Sequence, residues 1–146
     1  MLVVEGGDGD DVFDTDRDQD PMAAPLGTAV LYGGAGNDKI TLPENVGTAS
    51  ANGGDGDDKI IYSTTQDGLV GVAGDDGSDI IYGTDGYGMG TPKIYGDYAA
   101  FEITANPDLA GVGGDDKIYG GNGLKIGSFQ YSGGPGSDLI SIGSDL

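Results

Sequence analysis

A nine-residue pattern recurs along this chain of 146 residues and limits the folds that the chain can adopt. Its strict form is Gly-Gly-x-Gly-x-Asp-x-U-x, in which U is a large apolar residue and x is any residue. Four copies keep the strict form, two depart from it only at the second position, and a seventh keeps only the first glycine and the apolar eighth residue. The copies begin at Gly6, Gly33, Gly53, Gly74, Gly96, Gly111 and Gly133. A fixed repeat of this kind predicts a stack of similar units.

Two rows of apolar residues recur with the same spacing, which averages about 21 residues. Two residues before the copies stand Val4, Leu31, Ala51, Val72, Ile94, Leu109 and Tyr131, and at their eighth positions stand Phe13, Ile40, Ile60, Ile81, Ile103, Ile118 and Ile140. Alternation of inward and outward residues on both sides of the glycines predicts two short strands per unit. We therefore predict an all-β fold in one domain over residues 1–146. The expected architecture is a parallel β-roll or β-solenoid of about seven coils, with glycine-rich turns along one edge.

The composition excludes several classes of function. The chain has no cysteine, histidine or tryptophan, which excludes disulfide scaffolds, histidine- or cysteine-ligated zinc and haem, and Ser-His or Cys-His nucleophiles. Its 25 acidic residues against 6 basic ones give a formal net charge of −19, which would repel phosphates and anionic lipids. No apolar run approaches the ~20 residues of a membrane span. We expect a monomer without a nucleic-acid partner and without a membrane span.

The nonapeptides resemble the Gly-Gly-x-Gly-x-Asp-x-U-x repeats of the haemolysin-type (RTX) calcium-binding β-roll family, over almost the whole chain from Gly6 to Ser141. The resemblance implies that Ca²⁺ ions sit between stacked turns. It also implies that the carboxylate at the sixth position of each nonapeptide leans into the gap between its own turn and the next. Family arrays often carry the motif at both turns of a coil. This chain carries it at one edge, so we expect calcium chiefly along that edge.

The candidate ligands are the sixth-position carboxylates and the backbone carbonyls of the first four positions. The carboxylates are Asp11, Asp38, Asp58, Asp79, Asp116 and Asp138. The turn residues are Gly6, Gly7, Asp8, Gly9, Gly33, Gly34, Ala35, Gly36, Gly53, Gly54, Asp55, Gly56, Gly74, Asp76, Gly77, Gly111, Gly113, Gly114, Gly133, Gly134, Pro135 and Gly136. Glycines permit positive φ, so several carbonyls can turn toward one point. Ca²⁺ takes ~6–8 oxygens at ~2.3–2.6 Å, which carbonyls and carboxylates supply.

The order of the copies along the chain predicts about four strong calcium sites. They lie between the turns around residues 9 and 36, 36 and 56, 56 and 77, and 114 and 136. The copy that begins at Gly96 has Phe101 where the carboxylate belongs, so the two gaps beside that copy should be weak or empty. Carboxylates stacked at a strand spacing of ~4.8 Å repel one another unless a cation lies between them. Folding is therefore expected to depend on calcium.

Three classes of function follow. The first is a calcium-binding module that folds outside the cell as a structural part of a larger secreted protein (a toxin, exoenzyme or adhesin), with neighbouring domains as partners and no catalysis of its own. The second is an ice-binding or cell-surface adhesion β-roll, although no regular row of threonines occupies the turns. The third is a calcium-dependent polysaccharide-active enzyme, although Arg17 is the only arginine that could assist catalysis. The acidic segment from Asp14 to Asp20 is either a solvated loop or an additional calcium site.

Overall fold

The fold is described by a computed structural model, which covers residues 1–14, 26–42, 46–62, 69–84, 92–97, 113–121 and 130–142. These residues form twelve β-strands and no helix. The strands are β1 (Leu2–Asp8), β2 (Val12–Asp14), β3 (Leu26–Ala35), β4 (Lys39–Thr41), β5 (Val46–Asp55), β6 (Lys59–Tyr62), β7 (Leu69–Asp76), β8 (Ile80–Gly83), β9 (Lys93–Tyr95), β10 (Lys117–Tyr119), β11 (Gln130–Ser132) and β12 (Leu139–Ser141). No helix that could cross a membrane occurs in these ranges.

The strands form two parallel sheets. One sheet has the order β1-β3-β5-β7-β9-β11, and the other has the order β2-β4-β6-β8-β10-β12. Each pair of consecutive strands thus contributes one strand to each sheet, and we call such a pair a coil. Six coils stack in chain order, so coil 1 contains β1 and β2 and coil 6 contains β11 and β12. The predicted all-β parallel solenoid is confirmed.

Both predicted apolar rows lie in register across the sheets. In the first sheet Val4, Leu31, Ala51, Val72, Ile94 and Tyr131 pair from coil to coil. In the second sheet Phe13, Ile40, Ile60, Ile81, Ile118 and Ile140 do the same. Leu109 and Ile103, which the sequence also assigned to these rows, lie outside the described residues. Strand pairing therefore follows the repeat.

The core lies between the sheets and is built from these two rows. The four isoleucines of the second row in coils 2 to 5 are 0% exposed, whereas Ile140 in coil 6 is 39% exposed because no further coil covers it in the described structure. Each fully buried aliphatic side chain contributes ~1.5–3 kcal/mol. Tyr62 fills the core in coil 3, and its hydroxyl lies 3.3 Å from the hydroxyl of Tyr131 in coil 6.

The fifth and sixth nonapeptides of the sequence share a single coil. Strand β9 is followed by Gly96 and Asp97, and it pairs with β7 and β11. Strand β10 is preceded by residues 113–116, and it pairs with β8 and β12. The first half of one turn therefore comes from the fifth nonapeptide and the second half from the sixth. The expectation of a separate turn between those around Gly77 and Gly114 is wrong.

The spacing of the aspartates explains this arrangement. Asp116 follows Asp79 by 37 residues and precedes Asp138 by 22. Residues 98–112 stand between the second and third positions of the shared turn and lie outside the described residues. Without these 15 residues, the spacing of 37 residues would also be 22. They are an insertion into one turn of the array.

Candidate metal centre

The glycine-rich turns join the two sheets along one edge and stack directly on one another. Turns 1 to 6 comprise residues 6–11, 33–38, 53–58, 74–79, 96–97 with 113–116, and 133–138. We call the space between two successive turns a slot, so the six turns enclose five slots. In turns 1 to 3 the amide of the fourth position donates to the third-position carbonyl of the next turn, as from Gly36 to Asp55 at 2.8 Å and from Gly56 to Asp76 at 2.7 Å.

Glycine is required in these turns by the backbone conformation. In turn 3, Gly54 and Gly56 have φ of +112° and +128°, in the region that L-residues with a side chain rarely adopt. The same positions in turn 2, Gly34 and Gly36, have φ of +117° and +136°. This conformation turns the carbonyl groups out of the strand direction and toward the neighbouring turn.

The sixth-position carboxylates form one continuous row. In turns 2 to 6, the Oδ1 atom of the sixth-position aspartate accepts the backbone N–H of the sixth residue in the preceding turn. The N···O distances are 2.7–3.1 Å. The pairs, with the donor named first, are Asp11 with Asp38, Asp38 with Asp58, Asp58 with Asp79, Asp79 with Asp116, and Asp116 with Asp138. The sequence placed these six aspartates at equivalent positions, and the structure brings them together.

The second oxygen of each carboxylate lacks a hydrogen-bond donor within the described structure. This holds for Oδ2 of Asp11, Asp38, Asp58, Asp79 and Asp116. The last four of these side chains are at most 2% exposed. A buried polar atom without a partner costs ~1–3 kcal/mol, and more when it carries charge. Bound protons or cations are therefore needed to compensate these buried oxygens.

Backbone oxygens face these unpartnered oxygens across every slot. A Cβ atom added to Gly33 would overlap both Oδ2 of Asp38 and the carbonyl oxygen of Gly53 in the next turn. The first-position glycine is in the same situation in turns 1, 3, 4 and 5, where the overlapping groups are the turn's own sixth-position carboxylate and the next turn's first carbonyl. Glycine at this position therefore keeps open a space that is lined by oxygen.

Further carbonyls complete the lining. Added Cβ atoms on Gly54 and Gly56 would overlap the carbonyl oxygens of Gly34 and Gly36, so both oxygens project into the slot between turns 2 and 3. That slot thus contains three carbonyl oxygens and one carboxylate oxygen. No group of three acidic side chains gathers within the described ranges, so a cation would draw most of its ligands from the backbone. An all-oxygen donor set with carboxylate charge suits a hard cation such as Ca²⁺.

Burial raises the pKa of three carboxyl groups in this row. The pKa of Asp58 rises to about 7, that of Asp79 to about 8 and that of Asp116 to about 6, with desolvation as the largest cause in each. The hydrogen bond that each accepts from the preceding turn lowers the pKa, and the negative charges of neighbouring aspartates raise it. A row of ionised carboxylates is therefore unfavourable here without a compensating positive charge.

The slot between turns 4 and 5 differs from the expectation. Two weak gaps were predicted between the turns around Gly77 and Gly114, whereas Asp79 donates directly to Asp116 across a single slot. The carbonyl oxygens of Gly77 and Gly96 project into it, as their equivalents do elsewhere. Gly111 lies outside the described residues, and its place as the first residue of turn 5 is taken by Gly96.

The fifth position of the turns has a role that was not predicted from the repeat. Its side chain accepts the backbone N–H of the fifth residue in the next turn at 2.8–3.1 Å, which forms a second hydrogen-bonded row. These residues are Asp10, Asn37, Asp57, Ser78, Asp115 and Ser137, the last of which donates its amide at the end of the row. Every copy that supplies this position has a short polar side chain there. That regularity was visible in the sequence and indicates a need for an acceptor.

The remaining described features are the start of the acidic segment and a group of side chains on the second sheet. Asp14 ends β2, and residues 15–20 of the acidic segment lie outside the described residues. On the outer face of the second sheet, the rings of Tyr82 and Tyr119 stack with centroids 4.9 Å apart. The Nζ atom of Lys59 lies 5.4 Å from the centroid of the Tyr82 ring. These contacts stabilise the sheet surface.

Comparisons with protein-family models, with curated proteins and with solved structures find no match to this chain. The nonapeptides and the geometry of the turns are therefore the basis for proposing a function.

Proposed function

We propose that the chain is a calcium-binding repeat module that folds when Ca²⁺ binds and serves as a structural part of a secreted protein, such as a toxin, an exoenzyme or an adhesin. The observation that supports this proposal most directly is the row of buried Oδ2 atoms that have no donor in the described residues. Each of these atoms faces a backbone carbonyl of the next turn. A cation in each slot would satisfy both oxygens at once.

Charge supports a cation in every slot. The described turns enclose five slots with the same kind of oxygen lining. The sequence suggested four strong sites, and the slot between turns 4 and 5 is the additional one. Five divalent ions would lower the formal net charge from −19 to −9. Ca²⁺ fits better than Mg²⁺, which needs near-octahedral geometry and gives up its water reluctantly.

Coupling of folding to binding follows from the same charges. The slots form only when the coils stack, and stacking brings the carboxylates together at low exposure. Without cations this repulsion opposes stacking, and with cations the same groups hold neighbouring coils together. A chain of this composition would then be unfolded at the low calcium concentration of a cell and folded outside it.

Exposed apolar groups at both ends of the stack support a structural role beside other domains. Val12 in coil 1 is 68% exposed, and Leu139 and Ile142 after turn 6 are 50% and 53% exposed. Solenoids need their end coils covered by polar caps or by neighbouring structure. Adjacent domains of a secreted parent protein are the partners that we propose for these ends.

The proposal is tested by calcium titration of the full chain. Far-UV circular dichroism should show coil without divalent ions and β-structure in millimolar Ca²⁺, while Mg²⁺ at the same concentration should have little effect. Calorimetry should give about five ions per chain, the number of slots. An unchanged β spectrum after complete removal of calcium would contradict the coupling of folding to binding.

Two variants locate the ions. Asp58→Asn keeps an oxygen for the amide of Asp38 but replaces the unpartnered oxygen by a nitrogen that cannot bind a cation. We expect it to reduce the bound calcium and to raise the calcium concentration needed for folding by about tenfold. Glu5→Gln removes the same charge at an exposed position of β1, outside the turns, and should leave both unchanged. Equal effects of the two variants would indicate that only net charge matters.

A further inference from the structure

We propose that Asp97 makes the slot between turns 5 and 6 a cation site with two carboxylates, which binds a divalent cation more tightly than the slots between turns 1 and 2 and between turns 2 and 3. The inference rests on the proposed function, since it concerns the same row of slots. It goes beyond the repeat motif because Asp97 occupies the second position of its turn, where the motif has glycine.

Asp97 is held firmly in this slot. Its side chain is 2% exposed, and its Oδ1 accepts the backbone N–H of Gly114 at 3.0 Å. This bond connects the two halves of the split turn. Oδ2 is buried and has no hydrogen-bond partner among the described residues. One oxygen is thus used to close the turn, and the other remains available for a ligand.

The position of that oxygen is equivalent to the position of a carbonyl oxygen in other slots. A Cβ atom added to Gly34 would overlap the carbonyl oxygen of Gly7, and one added to Gly54 would overlap that of Gly34. In turn 6 the equivalent glycine is Gly134, and there the overlapping atom is Oδ2 of Asp97. Asp97 therefore substitutes a charged oxygen for a neutral one at the same place.

The slot also keeps its ordinary carboxylate. Oδ2 of Asp116 and the carbonyl oxygen of Gly133 both overlap a Cβ atom added to Gly96, as at the other first positions. Gly96 precedes Asp97 and Gly133 precedes Gly134, so both unpartnered carboxylate oxygens lie in one slot. Burial raises the pKa of Asp97 to about 7, and the negative charge of Asp116 adds to this rise.

Asp75 occupies the second position of turn 4 and is likewise buried, but its backbone conformation differs from that of Asp97. Its φ is +77°, in the left-handed region that the glycines at this position also adopt. Asp75 has this conformation in a continuous turn, whereas Asp97 directly precedes the insertion. Because calcium affinity rises with the number of charged ligands, the second carboxylate should distinguish the slot between turns 5 and 6 from the two glycine-only slots.

The test is calcium retention by the full chain, measured per chain by elemental analysis after equilibrium dialysis against buffered free calcium. Wild-type protein should retain an ion at a free calcium concentration about tenfold below that at which the ions of the two glycine-only slots leave. Asp97→Asn keeps the acceptor for Gly114, and Asp97→Gly restores the glycine of the motif. Both should lose the tightly held ion as a separate class while the remaining slots still fill. Glu5→Gln, which removes one exposed charge from β1, should retain it.

Circular dichroism of the same samples in saturating calcium checks that each variant is folded. If wild type shows no tighter class, or if both variants keep it, the role of Asp97 is refuted while the calcium module itself stands. If both variants stay unfolded in saturating calcium, Asp97 is needed for the turn and not for affinity, which also refutes the inference. If wild type binds no calcium at all, the proposed function fails as well.

Discussion

Turn 3 is continuous in the chain, whereas turn 5 is assembled from two pieces that are separated by 15 residues. Their geometry is nevertheless the same at the points that define a slot. The sixth-position oxygen accepts the amide of the preceding turn at 2.7 Å in turn 3 and 2.8 Å in turn 5. Ile60 and Ile118, which follow the two turns, are both 0% exposed. Stacking against neighbouring coils therefore specifies a turn, and continuity of the chain within the turn is not required.

The two turns differ in one hydrogen bond. In turn 3 the amide of Gly56 donates to a carbonyl of the next turn, Asp76, at 2.7 Å. In turn 5 the equivalent amide, of Gly114, donates to the carboxylate of Asp97 within the same turn. A side chain has thus taken over a backbone contact where the chain is interrupted. The repair adds a buried charge, and that charge changes the chemistry of the adjoining slot.

The largest effect is expected from the core beneath the two turns. Ile60→Ala and Ile118→Ala each remove a fully buried side chain and should cost about 2–5 kcal/mol of unfolding free energy. Urea denaturation in saturating calcium measures both. A much smaller loss for Ile118→Ala would mean that the coil with the split turn packs less well, which would break the comparison. Ile140→Ala, in the terminal coil, provides the partly exposed control.

When calcium is removed, the raised pKa values in turns 3 and 5 should make the stability of the fold depend on pH. Asp58 and Asp116 have pKa values of about 7 and about 6 in the fold, above the ordinary 3.8. The folded chain therefore binds protons more readily than the unfolded chain. This contribution to stability is complete below about pH 4 and is lost as the pH rises through the folded-state pKa values of about 6 and about 7.

Calcium-depleted protein, which is expected to be coil at pH 8, should accordingly gain β-structure and a thermal melting transition when the pH is lowered to 5. In saturating calcium the dependence should reverse, because protons then compete with the bound cation for the same carboxylates. Thermal melts followed by circular dichroism at both pH values test this. The same direction of change with and without calcium would contradict the assignment of these carboxylates to cation sites.

The smallest effect is expected from excision of the insertion. A variant that joins Asp97 directly to Gly113 should keep both sheets, because an added Cβ on Gly113 would already overlap the Asp97 carboxyl group. Its unfolding free energy should rise by about 1 kcal/mol, since a loop no longer has to be closed. Circular dichroism and urea denaturation in calcium measure this. Replacement of residues 98–112 by a glycine-serine linker of equal length is the control, and loss of β-structure on excision alone would show that the split is required.

Much of the fold could be predicted because each coil repeats the same pattern of apolar residues and glycines. The two apolar rows predicted the strands, the parallel register and the core, and Val4 pairs with Leu31 and Phe13 with Ile40 as the repeat requires. The sixth-position aspartates could be assigned to one row because glycines at fixed offsets determine where each turn bends. The short polar residues of the fifth position, which include Asn37, recur just as regularly in the sequence, but their hydrogen bonds were not predicted.

The sequence by itself determined the all-β class, the period of the coils and the edge at which the sixth-position carboxylates gather, because these follow from local alternation and from glycines that recur with the nonapeptide. Only the tertiary structure decided that the nonapeptides at Gly96 and Gly111 form one coil, and that Asp97 closes it. The spacing between motifs along the chain includes every inserted residue. Strand pairing depends instead on hydrogen bonds and on burial against the neighbouring coils, and these are satisfied across an insertion as well as without one.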